Sequence, residues 1–294
     1  MTSTFLVVPQ WQGSGSSRAM RLVDGADAIR HDLPSSATHL IDVPLEAGDS
    51  EGTGILRYSS IRLVRERLER ALAEHESPTI VIGGDCGIEY AGIEHAARAG
   101  RVVLLWADAH ADLNTAETSP SRAFHGMVLR ALIDAGVVDA ADVLLLGVRD
   151  LDDAEAQFID SAGLTHVTFA EVGERVAHRA AAARADGVEP VLYVHVDLDV
   201  LDPAVFDSVG FAAPFGLALA ELTEAVTAAR EALALVGAGL TEFAPASADD
   251  RSHDFGTAPD VDPDVDTAIS GGDAGGATGD DLTVILRILA ALSR

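Results

Sequence analysis

Three short stretches of this chain carry metal-capable side chains at spacings that a strand end would draw together. Asp108, His110 and Asp112 lie in LLWADAHADLN at residues 104–114, Asp197, Asp199 and Asp202 in DLDVLDP, and Asp85 and Cys86 in GGDC. Residues two apart on a strand share one face, so Asp108, His110 and Asp112 converge. Carboxylate oxygens mixed with imidazole suit a divalent first-row cation. Carboxylates crowded within a few ångströms repel one another and take up protons unless cations neutralise them. Two divalent ions between them remove that penalty. Asp108, His110, Asp112, Asp197 and Asp199 form such a ligand set. Its oxygen-rich character favours Mn²⁺ over Zn²⁺, although intrinsic affinity runs the other way.

The elements that must position these groups are legible as short apolar runs at Phe5–Val8, Ile80–Ile82, Val102–Trp106, Val143–Val148, Val191–Val196 and Gly237–Thr241. Helical spacing and good helix formers fill Ser60–Glu74, Tyr90–Ala99, Ala123–Ala135, Asp153–Ser161, Glu171–Ala185, Ala220–Ala234 and Asp281–Leu292. This alternation predicts a three-layer α/β/α fold with a mostly parallel central sheet. Five of the runs end in a polar constellation: Gly83 to Gly87, Asp108 to Asp112, Arg149 to Asp152, Asp197 to Pro203, and Glu242. A lone carboxylate at a strand end is ordinarily a helix cap or a solvated turn. Five in series along one rim of a sheet place a site there, where open α/β sheets bind ligands.

The bulk properties narrow the partners. The formal charge of −27 sets 47 acids against 20 bases, all of them arginine; such a surface repels nucleic acid and anionic lipid. One cysteine excludes an internal disulfide framework, and neither a signal peptide nor a spanning segment is expected. The expectation is a cytoplasmic protein in which residues 1–294 form a single domain. Residues 249–281, rich in Asp, Gly and Pro, read as a flexible acidic loop without the ligand spacing of an EF-hand.

The DAHAD, FHGM and DLDVLDP segments, in that order after GGD, resemble the ureohydrolases: arginase, agmatinase and formiminoglutamase. The likeness runs from Gly83 to Glu242. It implies an arginase-like fold, two Mn²⁺ per chain, a small guanidino substrate and a homo-oligomer, trimeric or hexameric. Carried over residue by residue, it implies that Asp108 and Asp197 bridge the ions, that Asp112 serves metal A, with Cys86 at the position of that ion's usual histidine, and that His110 and Asp199 serve metal B. Asp112 belongs with the catalytic set for that reason. Asp202 matches a structural aspartate. His125 matches the proton-shuttle histidine, and Glu242 the glutamate at the guanidinium end of the substrate.

The implied activity is hydrolysis of a guanidino C–N bond in arginine or a derivative, releasing urea or a substituted urea. Asn114 and Ser121 fall in the loop that would contact an α-carboxylate, and Asp152 and Glu155 fall where an α-ammonium group would bind. Acids decorating a helix N-terminus explain the last two equally well. Arg122 and Ala123 depart from the arginase loop. Agmatinase, another guanidino-acid hydrolase, or a non-catalytic binding or regulatory member are the alternatives.

Cys86 is the main departure, since the motif normally reads GGDH. A thiolate ligand to metal A, a neutral buried thiol beside a weakened metal A, and the loss of that ion with its activity are all compatible with the sequence. A thiolate would weaken metal A as a Lewis acid, which favours a substrate with a better leaving group, such as N-hydroxy-arginine. His195 shares a strand face with Asp197 and Asp199 and reads as a partner orienting a carboxylate rather than as a ligand.

Overall fold

The computed structural model describes residues 3–75, 78–246 and 279–293. All six expected runs are strands: β1 (Thr4–Val7), β3 (Thr79–Ile82), β4 (Arg101–Ala107), β5 (Val143–Leu146), β7 (Pro190–Asp197) and β8 (Leu235–Thr241). Two three-residue edge strands, β2 (Thr38–Leu40) and β6 (Thr165–Val167), complete the sheet. Neither offers an apolar run long enough to be read from sequence, and β2 is largely exposed. The eight strands form one sheet in the order β2-β1-β3-β8-β7-β4-β5-β6, and every pairing is parallel.

Because side chains alternate along each strand, the sheet is apolar on both faces and must be covered on both. Val103 and Leu105 join Val194, Val196 and Leu240 on one face. There they meet α1 (Arg21–Asp32), α6 (Val172–Ala185), α7 (Leu219–Ala232) and the final helix Gly279–Ser293. Leu104 and Trp106 join Leu145 and Tyr193 on the other, under α2 (Tyr58–Glu74), α3 (Glu89–Ala96), α4 (Val128–Asp134) and α5 (Asp153–Ala162). This is the expected three-layer α/β/α fold. Among the described residues, no helix is long and apolar enough to cross a membrane.

Helix α1 escapes sequence reading because Gly25 interrupts a short segment of modest propensity. Tertiary packing decides it: a Cβ at Gly25 would lie 2.0 Å from the Phe243 carbonyl oxygen. The segment expected to be helical over Ala123–Ala135 instead opens with a 3₁₀ turn at Phe124–Met127 before α4. Most of the acidic stretch 249–281 lies outside the described residues; Gly279, Asp280 and Asp281 open the final helix and are not loop.

Candidate metal centre

The strands β3, β8, β7 and β4 are neighbours at the middle of the sheet, and their carboxyl ends deliver one buried cluster. Asp108 follows β4, Asp197 ends β7, Asp199 lies in the 3₁₀ turn Leu198–Val200, Cys86 opens the turn Cys86–Ile88, and Glu242 follows β8. Among the described residues, two groups offer ligand atoms that all lie within 4.8 Å of one another: Cys86, Asp108, His195 and Asp197, and Asp108, His110 and Asp199. Asp108 belongs to both. The Cys86 thiol donates to Asp197 Oδ2 at 3.0 Å, and His110 Nδ1 lies 3.0 Å from Asp199 Oδ2 and 3.5 Å from Asp108 Oδ1.

Asp112 is buried close by, with an Oδ2 that has no hydrogen-bond partner, but it enters neither group. Asp112 and Glu242 both hold left-handed backbone, at φ +52° and +64°. Such a conformation is costly for a residue with a Cβ and is concentrated at functional sites.

The loop carrying Cys86 is fixed by local chemistry. Asp85 accepts hydrogen bonds from Gln10 Nε2, Gly13 N–H and Gly87 N–H, each at 2.9 Å. Gly84 has φ +73°, and a Cβ there would lie 2.6 Å from the Val8 and Gln10 carbonyl oxygens, so no larger residue fits. On the other rim, Arg149 donates to the backbone carbonyls of Gly147, Asp199, Ala213 and Pro214 at 2.8–2.9 Å. That single side chain fixes the turn bearing Asp199. Gln10 and Arg149 therefore build the site without carrying its chemistry. Only their positions beside strand ends hinted at this in the sequence.

His125 and Glu242 meet at the mouth of the cluster. Glu242 Oε1 accepts from the Cys86 N–H at 3.2 Å and lies 3.4 Å from His125 Nδ1. His125 Nε2 accepts from Gly15 N–H at 3.3 Å, which in the neutral ring leaves the proton on Nδ1, facing the carboxylate. Burial opposes a charge on His125, but the Glu242 carboxylate outweighs it and raises the imidazole pKa.

Of the expected tail-binding residues, Asn114, Asp152 and Glu155 are drawn together by hydrogen bonds, while Ser121 bonds within its own loop. Asp152 caps α5, with Oδ1 accepting from Ala154 N–H and Glu155 N–H at 2.9 Å, and Glu155 accepts in return from Asp152 N–H at 3.2 Å. This is a complete capping box. Asn114 Nδ2 donates to Asp152 Oδ2 at 2.8 Å, Glu155 accepts from Leu113 N–H at 3.1 Å, and the Ser121 hydroxyl lies 3.2 Å from that of Ser119. Asp152 and Glu155 thus have the helix-cap role that their spacing also allowed.

The cluster is electrostatically frustrated on its own. Burial, then the neighbouring carboxylates, push Asp112 and Asp197 well above the usual carboxylate range. Burial and Asp108 raise Asp199 to about 6, and burial with Asp197 raises the Cys86 thiol. Asp108 Oδ2, Asp112 Oδ2 and both nitrogens of His195 are buried without a hydrogen-bond partner. Orphaned donors in an acidic pocket fit divalent cations, which would engage these atoms and neutralise the charge.

A stability prediction follows. Asp199 and Asp85, both raised by burial to about 6, ionise near 4 when unfolded, so the metal-free protein loses stability as pH rises from about 4 through 6. The raised pKa of His195, about 9, extends the same trend above its unfolded value near 6.5. Melting in chelator between pH 4 and 9 should show a fall on the order of 10 °C. Added divalent metal should remove most of it, because cations compete with those protons.

Comparison with known proteins places the chain in a family. The sequence profile of the arginase family matches residues 15–257. The arginase of Bacillus caldovelox is 30% identical over 266 residues, covering 79% of this chain and 84% of that protein. An arginase of Staphylococcus aureus strain MRSA252 is 28% identical over 225 residues, covering 69% and 73%. Among solved structures, Entamoeba histolytica arginase in complex with L-ornithine superposes with a TM-score of 0.74 at 19% identity, covering 99% of both chains. Proclavaminate amidino hydrolase from Streptomyces clavuligerus gives 0.67 at 21%, covering 99% of this chain and 90% of that one. At those identities the structures speak for the fold, while the profile and the curated relatives carry the assignment: the chain belongs to the arginase family.

Proposed function

We propose that this arginase-family hydrolase uses two Mn²⁺ per chain to cleave the guanidino C–N bond of arginine or an arginine derivative such as N-hydroxy-arginine, releasing urea or a substituted urea. The observation that carries this reading is the sharing of Asp108 between two donor groups, with the His125–Glu242 pair beside them. When bound, the ions supply Lewis acidity and a water acidic enough to ionise near neutral pH. Asp108, Asp197, Asp199 and His110 hold them, and Cys86 and Asp112 complete the set. Glu242, anchored by the Cys86 N–H, accepts from the guanidinium N–H groups. His125 carries a proton at Nδ1 for the leaving amine.

For the tail of the substrate, Asn114, Ser121, Asp152 and Glu155 are the recognition set. The α5 N–H donors and Asn114 outweigh burial and lower the pKa of Asp152, so it is an ionised partner for an α-ammonium group. The L-ornithine held by the Entamoeba histolytica arginase, an α-amino acid, supports that class. Asparagine caps helices about as well as aspartate, so Asp152→Asn should leave the melting temperature nearly unchanged. It should still raise KM for arginine about tenfold, the worth of one charge-assisted hydrogen bond. An unchanged KM would leave Asp152 with its capping role alone.

Urea release over arginine, N-hydroxy-arginine, agmatine and shorter guanidino acids, with Mn²⁺ added, tests the reading as a whole. Agmatine as the best substrate would move the assignment to agmatinase. A chain that binds Mn²⁺ and turns over none of them would be a non-catalytic member. By the same family resemblance we read residues 1–294 as one domain of a cytoplasmic homo-oligomer, trimeric or hexameric, and light scattering checks the assembly.

A further inference from the structure

The four-donor pocket contains a histidine that lies outside the DAHAD, FHGM and DLDVLDP segments. His195 lies in the body of β7 and is 0% exposed. It pairs in register with Trp106 on β4 and Gly239 on β8. Its ring stacks on Trp106 with centroids 3.7 Å apart, which fixes the imidazole plane. Nε2 lies 3.5 Å from Asp108 Oδ2 and Nδ1 lies 3.5 Å from Glu89 Oε2. Neither ring nitrogen, neither Glu89 oxygen, nor Asp108 Oδ2 has a hydrogen-bond partner. A buried imidazole between two carboxylates, with both its nitrogens and the oxygens facing it unsatisfied, is costly unless something engages it.

Glu89 is placed there by the fold. It is 0% exposed at the start of α3, three residues after Cys86, and its carboxylate occupies the space over Gly239. A Cβ at Gly239 would fall 1.7 Å from Glu89 Oε1, so β8 needs glycine at this register position to admit the acid. Glu89, His195 and Asp108 thus line up from the covered face of the sheet to its carboxyl rim. A histidine that binds metal through one nitrogen ordinarily gives its other N–H to a carboxylate, which sets the tautomer and raises basicity.

Building on the two-metal reading above, we propose that His195 ligates the ion of the Cys86–Asp108–His195–Asp197 pocket through Nε2, with Glu89 as the positioning residue that holds its Nδ1–H. The imidazole lost where cysteine stands at residue 86, after β3, is thereby supplied from β7, one strand beyond β8. A thiolate and an imidazole among the donors make this pocket softer than the Asp108–His110–Asp199 group. Relative to that oxygen-rich group its affinity is shifted toward Co²⁺ and Zn²⁺, while both groups still accept Mn²⁺.

The test is reconstitution of the whole chain with Co²⁺, reading metal content, affinity and the thiolate-to-cobalt charge-transfer absorption, none of which needs turnover. The wild-type chain should bind two classes of Co²⁺, one of them carrying that band. His195→Gln should lose the band at metal levels that saturate wild type, and Glu89→Gln should keep it with about 10–100-fold weaker binding at that pocket. Cys86→Ser should abolish the band while retaining an ion. A His195→Gln protein with both affinities and the band unchanged would overturn the proposal, as would a wild-type spectrum with no thiolate band. Should His195→Gln fail to fold by circular dichroism, the isosteric Glu89→Gln decides, since unchanged cobalt affinity there removes the positioning role and the proposal with it. Urea release is a separate measurement, so the hydrolase reading stands or falls independently.

Discussion

Asp108→Asn should lower urea release by on the order of 10³-fold or more and deplete both metal sites at once. Asp108 is the one residue present in both donor groups, so its loss is not confined to one ion. An amide of the same shape keeps the space filled and can still accept the His110 N–H now bonded to Oδ1 at 2.7 Å. What it removes is the negative charge and the strong metal-ligand oxygen facing His195. Lewis-acid stabilisation worth several kcal/mol, at about 1.4 kcal/mol per tenfold, sets the expected size. Metal content by elemental analysis, measured beside kcat/KM, separates this outcome from a change in substrate binding. Cys86→Ser, which touches only one group, should weaken the ion there, with three donors left, and leave the other group's occupancy unchanged. Equal metal loss in the two variants would contradict the shared role of Asp108.

The second large effect falls on His125. His125→Asn should reduce kcat by about 10²–10⁴-fold, the usual range for removal of a general acid, with metal content intact because His125 is in neither donor group. The pH profile carries the more discriminating signature. Although burial disfavours the imidazolium, Glu242 outweighs it and holds the pKa above its usual value of 6.5. A general acid must be protonated, so activity should fall as pH rises through that raised pKa. Glu242→Gln removes the carboxylate 3.4 Å from Nδ1, and the alkaline limb should then move to lower pH. A limb that stays in place after Glu242→Gln would mean that His125 is not the group titrating.

Much of this was determined by sequence alone. The alternation of apolar runs with helical segments dictated a covered parallel sheet, because backbone hydrogen bonding and two-faced burial leave few other arrangements. DAHAD and DLDVLDP placed Asp108, His110, Asp197 and Asp199 at one rim, since spacing by two at a strand end is a local property. Helix α1 and strands β2 and β6 were illegible, because their conformation comes from neighbours: Gly25 is helical where it passes beneath the Phe243 carbonyl, and the edge strands pair over only three residues each.

Only the tertiary structure decided which donors come together in one group. Strand order puts β7 between β8 and β4, and that adjacency sets His195 against Trp106 and Gly239. Glu89 arrives from a different element, with nothing in the sequence to couple residues 89, 195 and 239. The left-handed backbone of Asp112 and Glu242 likewise depends on packing that no local pattern encodes. Ligand type and spacing are written along the chain; the selection of partners across strands is a long-range property, fixed when the sheet assembles.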